Sequence, residues 1–372
     1  MGSFTFIDII LFLGVSQGLF LAMALQLIHN RNKSANKVLS IMLLIAVVML
    51  FGRICAYRIS ADWIWRLGIL VDTTIFLFGP LLYMYVRRLL YLEKQPFSLK
   101  WPHYILAAGS LSYYIWTLSF PLTTFNQMYA SGELNLMFFI VEVAGLLSLV
   151  CYWIKTFLLV RGYQKQEALE LSYHQSIYTF LKVLLGTVLL FLGLWGLSFI
   201  SAYFFRIGIP YISYETMWVS MPVFMYCVGY FSLRQPEIFR IPILAKTKQE
   251  KDRLKPEEIQ KLQKRLHYFI VEEQVFLQSN LTLKMLAEKL NTSSNNLSWL
   301  LNQVYQTTFY DYINGHRIQE FIRKIENQEH QQHTILAIAI DVGFNSKTTF
   351  NKVFKNSMGV TPSDYIKKSK VA

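Results

Sequence analysis

Seven apolar runs follow one another along the first 233 residues of this chain, at about 6–28, 38–57, 67–91, 103–120, 136–160, 178–205 and 212–233. Each is close to the length of a helix that crosses a bilayer. About 20 largely apolar residues span the hydrocarbon core, and the core admits only helices and closed barrels, because no water is there to satisfy a backbone amide. The expectation is all-α, beginning with a polytopic seven-transmembrane-helix bundle. The first run has a weakly charged start and no small-residue cleavage site, so it reads as a retained helix rather than a signal peptide.

The apolar character stops abruptly. From Met1 to Leu233 there are 15 Lys and Arg against 9 Asp and Glu; from Arg234 to Ala372 there are 21 against 14 in a much shorter stretch. The chain as a whole is only 16% charged, below the quarter usual in soluble domains, but its last part has ordinary soluble composition. Three parts are expected: a membrane domain over 1–233 as the candidate sensor, a basic juxtamembrane linker over 234–256, and a soluble domain over 257–372. Cys55, Cys151 and Cys227 all lie in apolar runs. Their odd number and their spacing fit neither a disulfide framework nor a metal site, so they read as small apolar packing residues.

Orientation follows from the basic residues of the loops. Arg31, Lys33 and Lys37 lie in the first, Arg87, Arg88, Lys94 and Lys100 in or beside the third, and Lys155, Arg161 and Lys165 around the fifth. The alternate loops are poorer, with Arg58 and Arg66 in one, none from Pro121 to Leu136, and Arg206 in the last. The N-terminus is expected outside and, after seven crossings, the C-terminal domain in the cytoplasm. Trp63, Trp65, Trp101 and Trp116 fall near run ends, as interfacial anchors do. Pro80, Pro222, Gly186, Gly193 and Gly196 lie within runs, where such residues permit kinks and close helix approach. Lys246, Lys248, Lys251, Arg253 and Lys255 form a basic run suited either to anionic lipid at the inner face or to a solvated linker balanced by Glu250 and Asp252.

No outer loop is long enough to fold as a domain, so an external signal must be received among the helices or at their short loops. Asp72 and Glu142 stand inside the third and fifth runs. An ionisable group in hydrocarbon is costly and therefore a functional candidate, here for a ligand or a proton. The competing reading makes Asp72 a structural lock, paired with Arg53 near the outer end of the second run.

In the soluble domain, Pro256 suits a first helical turn, and Ile259, Leu262, Leu266, Phe269 and Ile270 recur at helical spacing. Two copies of one pattern follow, each a short helix, a turn and a second helix. In the later copy Ile335–Val342 is the first helix, Gly343 supplies the left-handed turn residue, Phe344 plugs the angle, and Asn345 or Ser346 caps the next helix. There Phe350, Val353 and Phe354 point inward, leaving Thr348, Asn351, Lys352 and Lys355 outside. In the earlier copy Leu283, Leu286, Ala287 and Leu290 mark the first helix. Thr292 and Ser293 cap the second, with Leu297, Leu300 and Leu301 inward and Asn295, Ser298, Trp299 and Asn302 outward. Between the copies Ile313, Ile318, Phe321, Ile322 and Ile325 define a connecting helix. A helix-turn-helix presents such a face to the major groove, base edges being read from the front of the second helix while basic residues neutralise phosphates.

One such pattern is easily imitated by any helical hairpin. Two of them, about 52 residues apart with a helix between, are far more specific. The stretches "LKMLAEKLNTSSNNLSWLLNQVY", "FYDYINGHRIQEF" and "ILAIAIDVGFNSKTTFNKVFKNSMGVTPSDYI" resemble the DNA-binding domain of the AraC/XylS family of bacterial transcription regulators. The resemblance rests above all on Ile338-Ala339, Gly343-Phe344, Phe350, Phe354-Lys355, Gly359, Pro362 and Tyr365, and does not extend to the apolar part. It implies an AraC-type double helix-turn-helix domain, with units at about 282–304 and 335–357 set in successive major grooves. By position it gives DNA-contacting roles to Lys347, Thr348, Asn351 and Lys352 in the second unit, with Lys355 beside them, and to Asn295, Ser298 and Trp299 in the first. Trp299 departs from the polar or basic residue usual there, suiting either a stack on a sugar or a filler against the connecting helix.

The reading is a one-component transcription regulator held in a bacterial inner membrane, with sequence-specific DNA binding controlled by a signal sensed among the helices. Its expected partners are double-stranded promoter DNA and the lipid bilayer. RNA polymerase, a small-molecule signal and a second copy of the chain are further candidates. No kinase, phosphoacceptor or nucleotide-loop pattern occurs, and His267, His316, His330 and His333 read as scattered surface residues. No catalytic set, cofactor or metal is expected. The rival is a transporter or membrane enzyme with a regulatory interaction module at its C-terminus. It would favour repeated halves and several intramembrane charges, against no convincing repeat and two carboxylates here.

Overall fold

Helices account for all seven apolar runs. In the computed structural model, which describes residues 5–27, 33–58, 62–91, 96–172, 177–205, 213–234 and 256–369, they are α1 (Phe6–Leu27), α2 (Lys33–Arg58), α3 (Asp62–Asp72), α4 (Ile75–Leu90), α5 (Ile105–Leu118), α6 (Leu122–Ser131), α7 (Asn135–Glu170), α8 (Ile177–Ile200) and α9 (Tyr214–Arg234). Among the described residues five helical segments are long and apolar enough to cross a membrane: Phe6–Leu27, Lys33–Ala56, Arg66–Leu90, Asn135–Glu170 and Ile177–Phe205. A sixth results if Trp101–Leu118 and Leu122–Ser131, bent by 116° at their junction, make one span. The last apolar run is α9, 21 residues long with Pro222 inside it and Glu215 in its first turn. The basic run 246–255 and the expected linker, apart from its two ends, lie outside the described residues, as do Arg31, Lys94 and Arg206.

The chain divides into two compact units, 1–161 with 176–246, and 162–175 with 247–372. In the first, α1 packs on α2 and α9, α8 on α9, and α2 on α3 and α4. Close approach falls on Gly14 and Gly18, one turn apart on α1: a Cβ at Gly14 would stand 2.6 Å from Pro222, and one at Gly18 2.6 Å from Val47. Gly186, Gly193 and Gly196, singled out from the sequence, face open space. Asp8, which the sequence reading passed over, is fully buried and pairs with Arg58 at 2.7 Å, tying the start of α1 to the end of α2. The run 67–91 is broken after Asp72, where the hydroxyls of Thr73 and Thr74 donate back to the carbonyls of Leu70 and Val71 (both 2.8 Å). Threonines that bond the preceding turn in this way bend helices.

Among the described residues of the second unit the regular structure is helical apart from one isolated antiparallel bridge, Leu171 to Thr282. Its elements are α10 (Pro256–Val271), α11 (Leu283–Lys289), α12 (Ser294–Trp299), α13 (Phe309–Glu326), α14 (Ile335–Asp341), α15 (Lys347–Met358) and α16 (Pro362–Ser369). Two apolar clusters organise it. One gathers Leu262, Leu266 and Ile270 of α10 with Leu283, Leu286, Leu297, Leu300, Leu301 and Ile313. The other joins Ile318, Phe321 and Ile325 of α13 to Ile338, Val342, Phe344, Phe350 and Phe354. Helix α13 thus gives one end to each cluster and forms the spine between them.

Candidate functional site

Each small helix starts where its own side chain dictates. The hydroxyls of Thr282, Ser293, Thr308, Thr334 and Ser346 accept from the backbone amides of Met285, Asn296, Asp311, Ala337 and Thr349. Each such cap is worth about 1 kcal/mol, which matters for helices as short as six or seven residues. Of Asn345 and Ser346, Ser346 is the cap, and of Thr292 and Ser293, both expected to cap α12, Ser293 alone supplies the hydroxyl.

Between α14 and α15 the chain turns at Gly343, with φ +100°; a Cβ there would meet the carbonyl oxygens of Phe276 and Leu277, each at 2.8 Å. Only glycine fits. Phe344 is buried behind it, in edge contact with Phe350 at 5.3 Å. Phe350 and Phe354 sit at 1% and 0% exposure against Phe321 of the spine. With that stripe inward, Lys347, Thr348, Asn351, Lys352 and Lys355 are all exposed on the outer face of α15. Three lysines and two neutral hydrogen-bonding side chains on one short helix suit phosphates and base edges.

The first unit is less open. Helix α12 ends at Trp299 and passes into a π-helical turn, Leu300–Val304. Asn295, Ser298 and Trp299 are half-buried rather than fully outward. The amide of Asn302 donates to the carbonyl of Ser298 at 2.8 Å and to its hydroxyl at 3.2 Å, so Asn302 is engaged within its own helix. Of these residues Asn302 lies within the wider turn, which a regular 3.6-residue projection cannot anticipate. His316 is likewise no surface residue: its ring lies 5.9 Å from Phe276 and 4.9 Å from Tyr312, and burial, then His267, pushes its pKa below the ordinary imidazole value.

Within this unit the spine also holds a buried cation. Arg317 is 1% exposed. Its guanidinium donates to the carbonyls of Phe276 (2.7 Å), Gln278 (2.7 Å) and Ser172 (3.0 Å) and to the Ser172 hydroxyl (3.2 Å). Asn314 adds a bond to the Ser172 carbonyl at 3.1 Å, and the Ser172 hydroxyl donates to Leu281 at 2.7 Å. Burial pushes the Arg317 pKa down to about 10, still charged at neutral pH. Neither Arg317 nor Ser172 was singled out from the sequence. The signal available was a lone Arg inside the apolar stripe of a helix.

The fold and these faces define a DNA-binding helix-turn-helix protein. A family model described as helix-turn-helix domain matches residues 286–368, less than a quarter of the chain, and no curated protein or solved structure matches. The C-terminal part is an AraC-type helix-turn-helix domain, and the protein is a DNA-binding transcription regulator.

In the first unit, Asp72 and Glu142 open onto one cavity of about 470 Å³. Asp72 pairs with Arg53 at 2.6 Å, the partner expected for a lock. The guanidinium also lies 4.9 Å from the Trp218 ring centre, a cation–π contact. Glu142 accepts a hydrogen bond from the Tyr214 hydroxyl at 2.8 Å. Six further aromatic residues line the cavity, Tyr114, Tyr129, Phe138, Phe191, Trp195 and Tyr203, among aliphatic and small polar ones such as Met49, Ile69, Thr73 and Asn135. Tyr203 belongs to a π-helical turn, Ser201–Phe205, that ends α8 beside the cavity. Among the described residues no group of His, Cys, Asp and Glu is arranged to hold a metal.

Proposed function

We propose that this protein is a membrane-integrated one-component regulator, in which a signal received in the cavity at Asp72 and Glu142 controls promoter binding by Lys347, Thr348, Asn351, Lys352 and Lys355, with Asn295, Ser298 and Trp299 supplying a second reading unit. The observation that carries the reading is the presence on one chain of a DNA-binding domain and of five to six helices of spanning length and composition. Those helices expose large apolar side chains, Phe6 at 76%, Leu27 at 79% and Leu136 at 70% among them. So much contiguous apolar surface in water would drive aggregation; in a bilayer it is at rest.

A route between signal and DNA follows from the chain itself. Helix α7 contributes Glu142 to the cavity, and Ser172, two residues past its end, is held by Arg317 in the DNA-reading unit. A ligand shifts such a system only by its difference in affinity between the two states, and movement of α7 is the difference it would act on. With the bent pair as one span and α9 as the seventh crossing, the N-terminus lies outside and the C-terminal domain in the cytoplasm, where promoter DNA, RNA polymerase and a second copy are within reach.

Three experiments test this. Reporter fusions after Arg31, Phe125 and Leu244 are expected to read cytoplasmic, external and cytoplasmic; an external signal at Leu244 would remove the domain from DNA and end the proposal. Mapping chromosomal binding sites in cells, with the protein recovered from the membrane fraction, is expected to give discrete promoter peaks that weaken in Asn351→Ala. Asp72→Asn and Glu142→Gln are expected to alter the regulatory response while membrane abundance holds. A loss of abundance in Asp72→Asn that a charge swap with Arg53 restores would assign that pair to structure alone.

A further inference from the structure

The cavity has an uneven charge account. Arg53 is committed to Asp72 at 2.6 Å and lies against Trp218. Glu142 has the Tyr214 hydroxyl, and among the described residues no Lys or Arg stands in ion-pair contact with it. With all three groups ionised the site carries one negative charge that no described side chain of the wall neutralises. Aromatic rings line the same cavity from four segments: Tyr114 of α5, Trp195 of α8, Tyr203 of the π-helical turn, and Trp218 of α9.

Three classes of ligand can be weighed against this. An anion would have to draw Arg53 away from Asp72 while facing Glu142, two unfavourable terms at once. A neutral apolar molecule would strip water from the Glu142 carboxylate and return nothing, leaving a buried charge with only the Tyr214 hydroxyl to satisfy it. A cation meets the carboxylate and the electron-rich faces together, and rings of this kind are the recurrent receptor for ammonium groups. The volume, about 470 Å³, lies within the range of small-molecule pockets. One unneutralised carboxylate balances one positive charge, which disfavours polyamines.

We propose that the cavity binds a monovalent organic cation, an amine or quaternary ammonium on an apolar body, with its charge on Glu142 and its flanks against Trp195, Tyr203 and Tyr114. This rests on reading the cavity as the place where the signal arrives. The same chemistry is offered by a free amine and by the amine head of a zwitterionic lipid.

The test uses the full chain in phosphatidylglycerol nanodiscs and three probes of one shape and different charge: phenyltrimethylammonium, tert-butylbenzene and benzenesulfonate. Phenyltrimethylammonium is expected to bind saturably and at least tenfold more tightly than either of the others. Glu142→Gln is expected to weaken it tenfold or more, and Trp195→Leu to weaken it severalfold. Absence of saturable cation binding, equal or tighter binding of the neutral or anionic probe, or wild-type affinity in both folded variants would overturn the proposal. Should the variants fail to fold, the ranking of the three probes on the wild-type protein still decides. Repeating the titration with phosphatidylethanolamine in the nanodisc separates the sources, because a lipid occupant lowers the apparent affinity of the probe and a free ligand leaves it unchanged. Promoter occupancy, followed in cells exposed to the same cation, keeps the two readings distinct. Glu142-dependent binding without any change in occupancy would uphold the ligand class and sink the sensing role.

Discussion

Replacing Arg317 by Met keeps most of its apolar stem and removes every donor. The carbonyl of Phe276, 2.7 Å from the guanidinium, would be left buried and unpaired at about 1–3 kcal/mol, whereas that of Gln278, on an exposed residue, keeps the Leu281 amide at 3.2 Å. Ser172 would be hurt less, since its carbonyl keeps Asn314 and its hydroxyl keeps Leu281. Against the loss stands relief from burying a cation, whose cost is visible in the pKa pushed down to about 10. The balance is a destabilisation of about 2 kcal/mol, the cost of one orphaned buried acceptor and the lost bonds to Ser172. That is roughly thirtyfold in the opening equilibrium. Hydrogen–deuterium exchange on the full chain in nanodiscs reads it directly, as faster exchange across 274–283 and α13. Ser172→Ala, which deletes one hydroxyl and leaves the guanidinium in place, is expected to cost only about 1 kcal/mol. Unchanged exchange in Arg317→Met would refute the reasoning, and so would a Ser172→Ala effect of equal size.

On the proposed reading face, Asn351→Ala is expected to relax preference at one or two base positions, a bidentate contact being worth about 1–3 kcal/mol. Lys355→Ala is expected to weaken all sequences alike and to lower the salt slope by about one; gel shifts at several salt concentrations separate the two. Gly343→Ala, at φ +100° with two carbonyl oxygens 2.8 Å from the new methyl, is expected to cost about 2–5 kcal/mol from left-handed strain and overpacking. Gly359→Ala, at φ +73° in open space, carries only the backbone term of about 1–2 kcal/mol, and thermal melts rank the pair. His316 has a lowered pKa in the folded state, so the unfolded chain binds the proton more readily. Its contribution to stability is complete above pH about 6.5 and drains as pH falls toward the folded value. Denaturant melts from pH 7 downward are expected to show that loss in the wild type and a shallower one in His316→Phe.

Most of the reading domain was legible because its signals are local. Ser293 and Ser346 cap, Gly343 turns, and Phe350 and Phe354 fall at one helical spacing; each statement needs only a few neighbouring residues. The apolar runs were legible for the same reason. What escaped depended on distant chain or on departures from a regular helix. Residues 161–170, RGYQKQEALE, read as a charged loop because they are polar, yet Gln, Lys, Glu, Ala and Leu are strong helix formers, and α7 runs through them to Glu170. The placing of Ser172 against Arg317 joins residues 145 positions apart, and no periodicity carries that. The π-helical turns at Ser201–Phe205 and Leu300–Val304 shift every later side chain around its axis. Ser298 and Trp299, which precede the second of these turns, were projected outward and lie half-buried instead. In the cavity, Asp72 and Glu142 stood out because charge is rare in hydrocarbon. Their aromatic surroundings, drawn from five helices, had no linear pattern to betray them.

The reading unit is sewn from two lengths of chain, 162–175 and 247–372, and this bears on proteolysis. Many tethered factors are set free by one cut, the soluble piece leaving unchanged. Here a single nick between 235 and 255 would part the larger length from Leu171 and Ser172, and the fragment that drifts off would lack the strand-like stitch to Thr282 and two of the acceptors around Arg317. Clipping would convert one DNA-binding species into another, with its own stability and its own affinity, so a protease acting there would be an editor of this regulator and not merely its liberator.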